Sequence, residues 1–242
     1  MSGFLQNKVA TVTGGSRGIG RAIAEALLRE GASIAICGRS QTSVNEAIAR
    51  LNAHQDMRKA PRAIGARVDV GDPESVADFF QLVDRQLGGI DILVNNAGVG
   101  IFRSVADLAV KDWQETVDTN LSGVFYCCRE AVPRLRHRGG GAIINISSLA
   151  GRNAFAGGAA YNASKFGLNG FSEALMLDHR RDKIRVTYVM PGSVDTDFGS
   201  EPARASWKMA PEDVAEVVLM VLRMPDRTTV SRVEMRPSIP PK

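Results

Sequence analysis

Tyr161 and Lys165 lie four residues apart, and Ser148 stands thirteen positions before the tyrosine. Side chains four apart on a helix share a face, one turn above the other. A phenol ionises at about 10, and a neighbouring ammonium favours the phenolate and lowers that value. A general acid or base works best with its pKa near the working pH, so Lys165 is expected to bring Tyr161 down toward it. Ser148 can donate a hydrogen bond to the oxygen that the tyrosine protonates. Three such groups suit the interconversion of a carbonyl and an alcohol, provided that a hydride donor sits beside them.

Tyr-x-x-x-Lys also recurs on solvated helices by chance, so its setting decides. Gly141-Ala-Ile-Ile-Asn-Ile-Ser-Ser148 is an apolar, β-branched run bounded by glycines and a small-residue stretch, which reads as a buried strand ending at Ser148. In open α/β sheets ligands bind beyond the carboxyl ends of the strands. A Gly/Ala-rich loop, 150–160, then leads into the tyrosine helix.

The amino terminus offers a place for the hydride donor. Lys8-Val-Ala-Thr-Val-Thr13 reads as a strand, Gly14-Gly15-Ser16-Arg17-Gly18-Ile19-Gly20 as a tight turn, and Arg21 to Glu30 as a helix closed by Gly31. A strand–turn–helix of this kind aims backbone N–H groups and the helix dipole at a pyrophosphate. Its glycines permit positive φ and close approach. The spacing is Gly-x-x-x-Gly-x-Gly, not the general Gly-x-Gly-x-x-Gly. The next strand, Ser33-Ile-Ala-Ile-Cys37, ends in Gly38-Arg39-Ser40, where NAD-binding folds usually carry an acidic residue. Arg39, Arg17 and Ser40 suit a dianionic 2′-phosphate instead, with no carboxylate present to repel it. NADP(H) is therefore expected in preference to NAD(H), the alternative being that both arginines are solvated.

Taken together these segments resemble the short-chain dehydrogenase/reductase family over nearly the whole chain. Thr13-Gly14-x-x-x-Gly18-x-Gly20 matches its cofactor turn, and Asp69 falls where the family contacts the adenine. Asn95-Asn96-Ala97-Gly98 follows Asp91-Ile-Leu-Val94, and Asn120 in Thr119-Asn120-Leu121 falls at the family's catalytic asparagine. Ser148, Tyr161 and Lys165 complete a tetrad, and Pro191-Gly192 with Thr196 match the segment around the nicotinamide. The resemblance implies that Tyr161 exchanges the proton, Lys165 also binds the nicotinamide ribose, Ser148 polarises the carbonyl, and Asn120 holds a water relaying protons to Lys165. It implies cofactor contacts from Gly14, Ser16, Arg17, Gly18, Ile19 and Gly20 in the turn, and from Arg39 and Ser40 after the second strand. Asp69 and Val70 follow the third strand and Asn96, Ala97 and Gly98 the fourth. Tyr161 and Lys165 themselves, and Pro191, Gly192, Val194 and Thr196, complete the set. No metal is expected, since His54, His137 and His179 are widely separated and no Cys/His ligand spacing occurs.

Strand and helix patterns alternate throughout. Strands are expected near 8–13, 33–37, 63–69, 91–94, 142–147, 184–189 and 229–234. Helices are expected near 17–30, 41–54, 73–87, 106–136, 159–181 and 211–223. Such alternation predicts a single-domain, Rossmann-type, doubly wound α/β sheet of about seven parallel strands with helices on both faces. A cofactor half would span about 1–98, a catalytic and substrate half about 99–236, and an irregular tail 237–242. At 242 residues the chain can bury a large core as one domain. No signal-peptide pattern or long apolar run appears, and the cysteines Cys37, Cys127 and Cys128 are few, so a reducing cytoplasm is expected. The net charge of +4 gathers in Arg134-Leu-Arg136-His-Arg138 and Arg180-Arg-Asp-Lys-Ile-Arg185. Both clusters fall at expected helix ends, where cations complement the dipole, and no stacking aromatics accompany them. Solvated helix termini rather than nucleic-acid or membrane contacts are expected. The resemblance implies a homodimer or homotetramer through helices 106–136 and 159–181.

The partner is expected to be a small carbonyl or alcohol. Ile101, Phe102, Leu149, Arg152, Phe155, Phe198 and Trp207 are candidate lining residues, an ordinary surface or core role being the alternative for each, and the short segment from Ser193 to Met209 argues for an open pocket. The turn, the Asn-Asn-Ala-Gly segment and the tetrad are also similar to 3-oxoacyl-carrier-protein reductases, which is one alternative. The carboxyl terminus, Val230-Ser-Arg-Val-Glu-Met-Arg-Pro237, lacks the Gly-rich ending usual in that group and is closer to small-carbonyl reductases. A catalytically idle NADP-binding redox sensor is the alternative from another class, although it would have no need of the intact Ser148, Tyr161 and Lys165.

Overall fold

Short β-branched runs punctuated by glycine, alternating with amphipathic segments, build the scaffold. The computed structural model describes residues 3–53, 62–198 and 206–240. The strands β1 (Val9–Thr13), β2 (Ser33–Gly38), β3 (Ala63–Arg67), β4 (Ile92–Asn95), β5 (Gly141–Ile146), β6 (Ile184–Pro191) and β7 (Arg232–Met235) form one sheet. Its order is β3-β2-β1-β4-β5-β6-β7, and every pairing is parallel. All five residues of β1 are buried, as expected for a strand covered on both faces.

The helices are α1 (Gly18–Arg29), α2 (Gln41–Asn52), α3 (Pro73–Leu87), α4 (Val110–Val117), α5 (Gly123–His137), α6 (Ala159–His179) and α7 (Pro211–Arg223). Strand alternation sorts the apolar side chains between two cores. Val12, Ile144 and Ile146 meet Ile23 and Leu27 of α1 and Val218 of α7 on one face. Leu93 and Ile143 meet Phe80 of α3, Leu135 of α5 and Leu168 of α6 on the other.

Local chemistry starts and stops these helices. The Ser40 hydroxyl accepts from the Ser43 N–H and the Asp72 carboxylate from the Glu74 N–H, the latter with Pro73 in the first turn. The long helix expected over 106–136 differs most. Helix begins only at Val110 and is interrupted by a π turn, Asp118–Ser122, closed by a bond from the Gly123 N–H to the Asp118 carbonyl. The third strand ends at Arg67, the sixth runs on to Pro191, and the last is shifted to Arg232–Met235. His54 and tail residues 241–242 lie outside the described residues.

The Arg134–Arg138 cluster is paired rather than merely solvated. Arg134 reaches Asp84 at 2.8 Å, Arg136 reaches Asp182 at 2.7 Å, and Arg138 reaches Asp91 at 2.8 Å. Asp91 also accepts from the Val9 N–H at 2.9 Å and lies 3.3 Å from the Lys8 ammonium. That buried carboxylate thus ties the start of β4 to the start of β1. Burial pushes its pKa up, but Arg138, the Val9 N–H and Lys8 together hold it below the ordinary value. Among the described residues, no helix is long and apolar enough to cross a membrane.

Candidate active site

The carboxyl ends of β1, β4, β5 and β6 open on a cavity of about 1180 Å³. It lies where the chain order reverses, β1 being flanked by β2 on one side and β4 on the other. Gly14 and Gly18 adopt φ of 63° and 53°. A Cβ on Gly14 would stand 2.9 Å from the Ala97 Cα, and one on Gly20 would stand 2.3 Å from the Gly14 carbonyl oxygen. The turn after β1 is therefore pressed against the segment after β4. Asn96 holds the two together by donating from its amide to the carbonyls of Thr13 and Gly14, at 3.0 and 3.1 Å. The Thr13 hydroxyl in turn accepts from the N–H groups of Asn96 and Ala97. Arg17 precedes α1 without a side-chain cap, so no side chain occupies the first-turn N–H groups. Gly14, Ser16, Arg17, Gly18 and Ile19 all line the cavity. A glycine-rich turn at a helix start without a side-chain cap fits a dinucleotide pyrophosphate.

At one end of the cavity stand Arg17, Arg39, Ser40 and Ser43, with Asp69 and Val70 close by in the wall. The expectation that no carboxylate opposes the arginines needs correction. The Arg39 guanidinium donates to Glu115 of α4 at 2.8 Å, a partner 76 residues away that only the fold brings near. Asp69 accepts from the Gly71 N–H at 2.9 Å, which fixes the turn after β3.

Toward the other end, Ser148 sits just past β5, and Tyr161 lies in the first turns of α6 with Lys165 one turn on. The Lys165 ammonium donates to the Ile146 carbonyl at 2.9 Å, pinning α6 to the last residue of β5, and lies 5.8 Å from the Tyr161 ring centroid. Burial lowers its pKa from the ordinary 10.5 to about 8. Burial also raises the pKa of Tyr161, and a hydrogen bond with Ser148 offsets this only in part. The expected depression of the phenol by Lys165 is thus not the direction found in the protein alone. Removing the phenol from water raises its pKa by more than the Ser148 hydrogen bond lowers it.

Asn120 lies within the π turn and is fully buried. Its amide oxygen accepts from the Val99 N–H at 2.8 Å. Its nitrogen donates to the Val99 carbonyl at 2.9 Å and to the Ser164 hydroxyl at 3.1 Å. Ser164 donates on to the Tyr161 carbonyl at 2.8 Å. The extra residue of the π turn aims Asn120 at the loop after β4 while its neighbours stay helical.

Pro191, Gly192, Val194 and Thr196 line the cavity beyond β6. The Gly192 N–H donates to the Met235 carbonyl at 2.9 Å, and Val194 bridges to Met209. Residues 199–205 of the segment expected to shape the pocket lie outside the described residues. Around Tyr161 the wall is aromatic. The Phe102 ring stands edge-on to Tyr161 at 5.6 Å and to Phe155 at 5.5 Å, and Phe198 lies 5.8 Å from Tyr161.

A short chain dehydrogenase family model matches residues 8–206. The chain belongs to the short-chain dehydrogenase family. It is 33% identical to an uncharacterised oxidoreductase of Staphylococcus saprophyticus, covering 96% of this chain and 98% of that one. An alcohol dehydrogenase from the archaeon Thermococcus sibiricus, solved with 5-hydroxy-NADP, superposes with a TM-score of 0.89 at 29% identity, covering 97% and 99% of the two chains. A metagenomic short-chain oxidoreductase solved with NADP gives 0.84 at 33% identity, covering 98% and 99%.

In this short-chain dehydrogenase most of the residues singled out in the sequence border one cavity, with exceptions that have physical reasons. Gly20 and Asn120 do not line it; they pack behind the turn and behind the loop after β4. Ile101 and Arg152 do not line it either, Arg152 turning instead to Glu234 of β7. Leu149, Phe102, Phe155, Phe198 and Trp207 do line it. Ser43, Asn153 and Ser164 were not among the expected site residues, nor were Arg236 and the tail residues Pro237 and Pro240. Ser164 is recoverable from its place three residues after Tyr161 on one helix. The tail carries no local signal, because the pairing of β7 with β6 puts it at the cavity. Among the described residues, no group of three His, Cys, Asp or Glu side chains could hold a metal ion.

Proposed function

We propose that the protein interconverts a ketone or aldehyde and the corresponding alcohol, with NADP(H) as hydride carrier and Tyr161 as general acid/base. The observation that carries this reading is the Tyr161–Ser148–Lys165 cluster on the same cavity as the Gly14–Gly18 turn, with Lys165 anchored 2.9 Å from the Ile146 carbonyl. The turn and the start of α1 would hold the pyrophosphate, and Arg17, Arg39 and Ser40 the 2′-phosphate. The NADP species in the Thermococcus sibiricus and metagenomic proteins support the phosphorylated cofactor. When bound, the nicotinamide supplies or accepts a hydride.

The side chains do the rest. Ser148 donates to the carbonyl oxygen and orients it, and Tyr161 transfers its hydroxyl proton to that oxygen as the alcohol forms. The buried cation of Lys165 stabilises the phenolate left behind and holds the ribose. Asn120 fixes the loop at Val99 and, through Ser164, the first turns of α6; its relay of protons to Lys165 rests on the family resemblance. The reading extends to a cytoplasmic dimer or tetramer pairing through α5 and α6, where Phe125 and Phe166 are exposed. Light scattering tests the assembly.

NADPH oxidation with ketones, diketones, oxo acids, an acetoacetyl thioester and aldehydes tests the reading. Turnover by the native protein and at least a hundredfold loss in Tyr161→Phe are expected, in line with the usual contribution of a general acid of roughly 10²–10⁴. Tight NADPH binding without turnover of any carbonyl would favour a redox sensor instead. Arg39→Asp should raise the KM for NADPH far more than that for NADH.

A further inference from the structure

We infer, resting on the reductase reading above, that this site takes an uncharged ketone bearing an aryl or similarly flat apolar group. Small oxo acids and long acyl thioesters would be poorer substrates. Three of the chain's nine phenylalanines and one of its two tryptophans line the cavity that contains Tyr161. Phe155, Phe102, Tyr161 and Phe198 form a continuous row of rings, each within 5.8 Å of the next, with Tyr161 inside the row. Phe155 and Phe198 remain 45% and 42% exposed, although each touches another ring of the wall. Apolar rings left facing a cavity favour a ligand that covers them.

The row depends on two glycines. A Cβ on Gly100 would stand 2.6 Å from the Phe198 ring and 2.9 Å from the Phe102 ring, and one on Gly158 would stand 2.6 Å from Phe155. The backbone gives way where these rings approach Tyr161, so the aromatic wall is built into both loops. A ketone whose oxygen meets Tyr161 and Ser148 must lay its substituents against these rings. Edge-on and offset contacts then favour an aryl group over an alkyl chain of equal area.

Charge points the same way. Asp197 lines the cavity and would repel a substrate carboxylate. The cations on this side are engaged, Lys208 lying 5.9 Å from the Trp207 ring centroid and Arg236 lying 3.3 Å from Glu234. A carboxylate placed among the rings would lose its hydration without a built partner. The reaction balances with the cofactor already invoked. The carbonyl carbon gains a hydride from the reduced nicotinamide, the C=O π bond breaks, and the oxygen takes the Tyr161 proton. Solvent returns that proton, leaving alcohol and oxidised cofactor.

The test compares kcat/KM for 1-tetralone and 1-phenyl-1,2-propanedione with that for acetoacetate and an acetoacetyl thioester, all with NADPH. The aryl ketones should lead by about tenfold or more, the ratio that one well-made aromatic contact supplies. Phe198→Leu and Phe155→Ala, at partly exposed positions that folding tolerates, should each narrow that ratio severalfold, mainly through the KM of the aryl ketone. Equal or better turnover of acetoacetate or the thioester, or a ratio unmoved in both variants, overturns the substrate class and leaves the reductase reading intact. Absence of turnover on every carbonyl overturns the reductase reading, and this inference with it.

Discussion

Lys165→Met should make the protein more stable at neutral pH while removing its activity. Burial lowers the lysine pKa from 10.5 to about 8, so holding the ammonium in the folded state at pH 7 costs about 3 kcal/mol. Methionine fills a similar volume without a charge. It forfeits the hydrogen bond to the Ile146 carbonyl, a loss of about 1 kcal/mol. The net expectation is a gain of about 2 kcal/mol, or roughly 4–8 °C in Tm for a chain of this size.

The pH dependence separates this cause from simple repacking. The folded pKa lies below the unfolded one, so the favourable contribution of neutral lysine is complete above about 10.5 and is lost as pH falls through about 8. The variant should therefore lead most below pH 8, and its lead should close as pH rises toward 10.5. Urea unfolding of both proteins at pH 7, 8, 9 and 10 reads this directly, because other titrating groups cancel in the difference. A Lys165→Met protein no more stable than native at pH 7, or a gap that stays constant to pH 10, refutes the reasoning.

Asp91→Ala should cost about 1–3 kcal/mol by chemical denaturation, because it leaves the buried Val9 N–H without its acceptor and takes the partner from the one-third-exposed Arg138. The Asp91 carboxyl lies below its ordinary value, so the stability it contributes is present above about 3.9 and disappears as pH falls through its folded pKa. Acid unfolding should accordingly depend less steeply on pH in the variant. Burial pushes the thiols of Cys37 and Cys128 up to about 12 and raises that of Cys127 as well. A thiol reagent at pH 8 should label none of the three in the native protein and all of them in denaturant; rapid labelling of the native form would contradict this burial. Glu115→Gln frees Arg39 from an exposed ion pair, so the KM for NADPH should fall about two- to fivefold with that for NADH unchanged. A rise would mean that Glu115 positions Arg39 for the phosphate.

The catalytic cluster was legible because its geometry is local. Tyr161 and Lys165 share a helix face, and Ser148 ends a strand whose apolar run has its own boundaries. The glycine turn was legible for the same reason, its φ values and close approaches arising within a few residues. The π turn at Asp118–Ser122 was not. One shifted hydrogen bond leaves no mark in periodicity, so the expected helix over 106–136 ran straight through the position that aims Asn120. Of the two roles open to Arg152, the structure shows the surface one, because its partner Glu234 lies 82 residues away on the last strand.

The sequence by itself determined which groups could exchange a proton, which turn could receive phosphates, and the alternation that makes a parallel sheet, since all of these are spacings within single elements. Tertiary structure alone decided the environment of those groups. Phe102 and Phe198 come from separate loops to dry the tyrosine, so its pKa rises where the lysine spacing suggested a fall. Glu115 of α4 meets Arg39 although 76 residues separate them in sequence, and the tail reaches the cavity because β7 pairs with β6. Burial and long-range charge depend on which elements are neighbours in space, and no single segment carries that information.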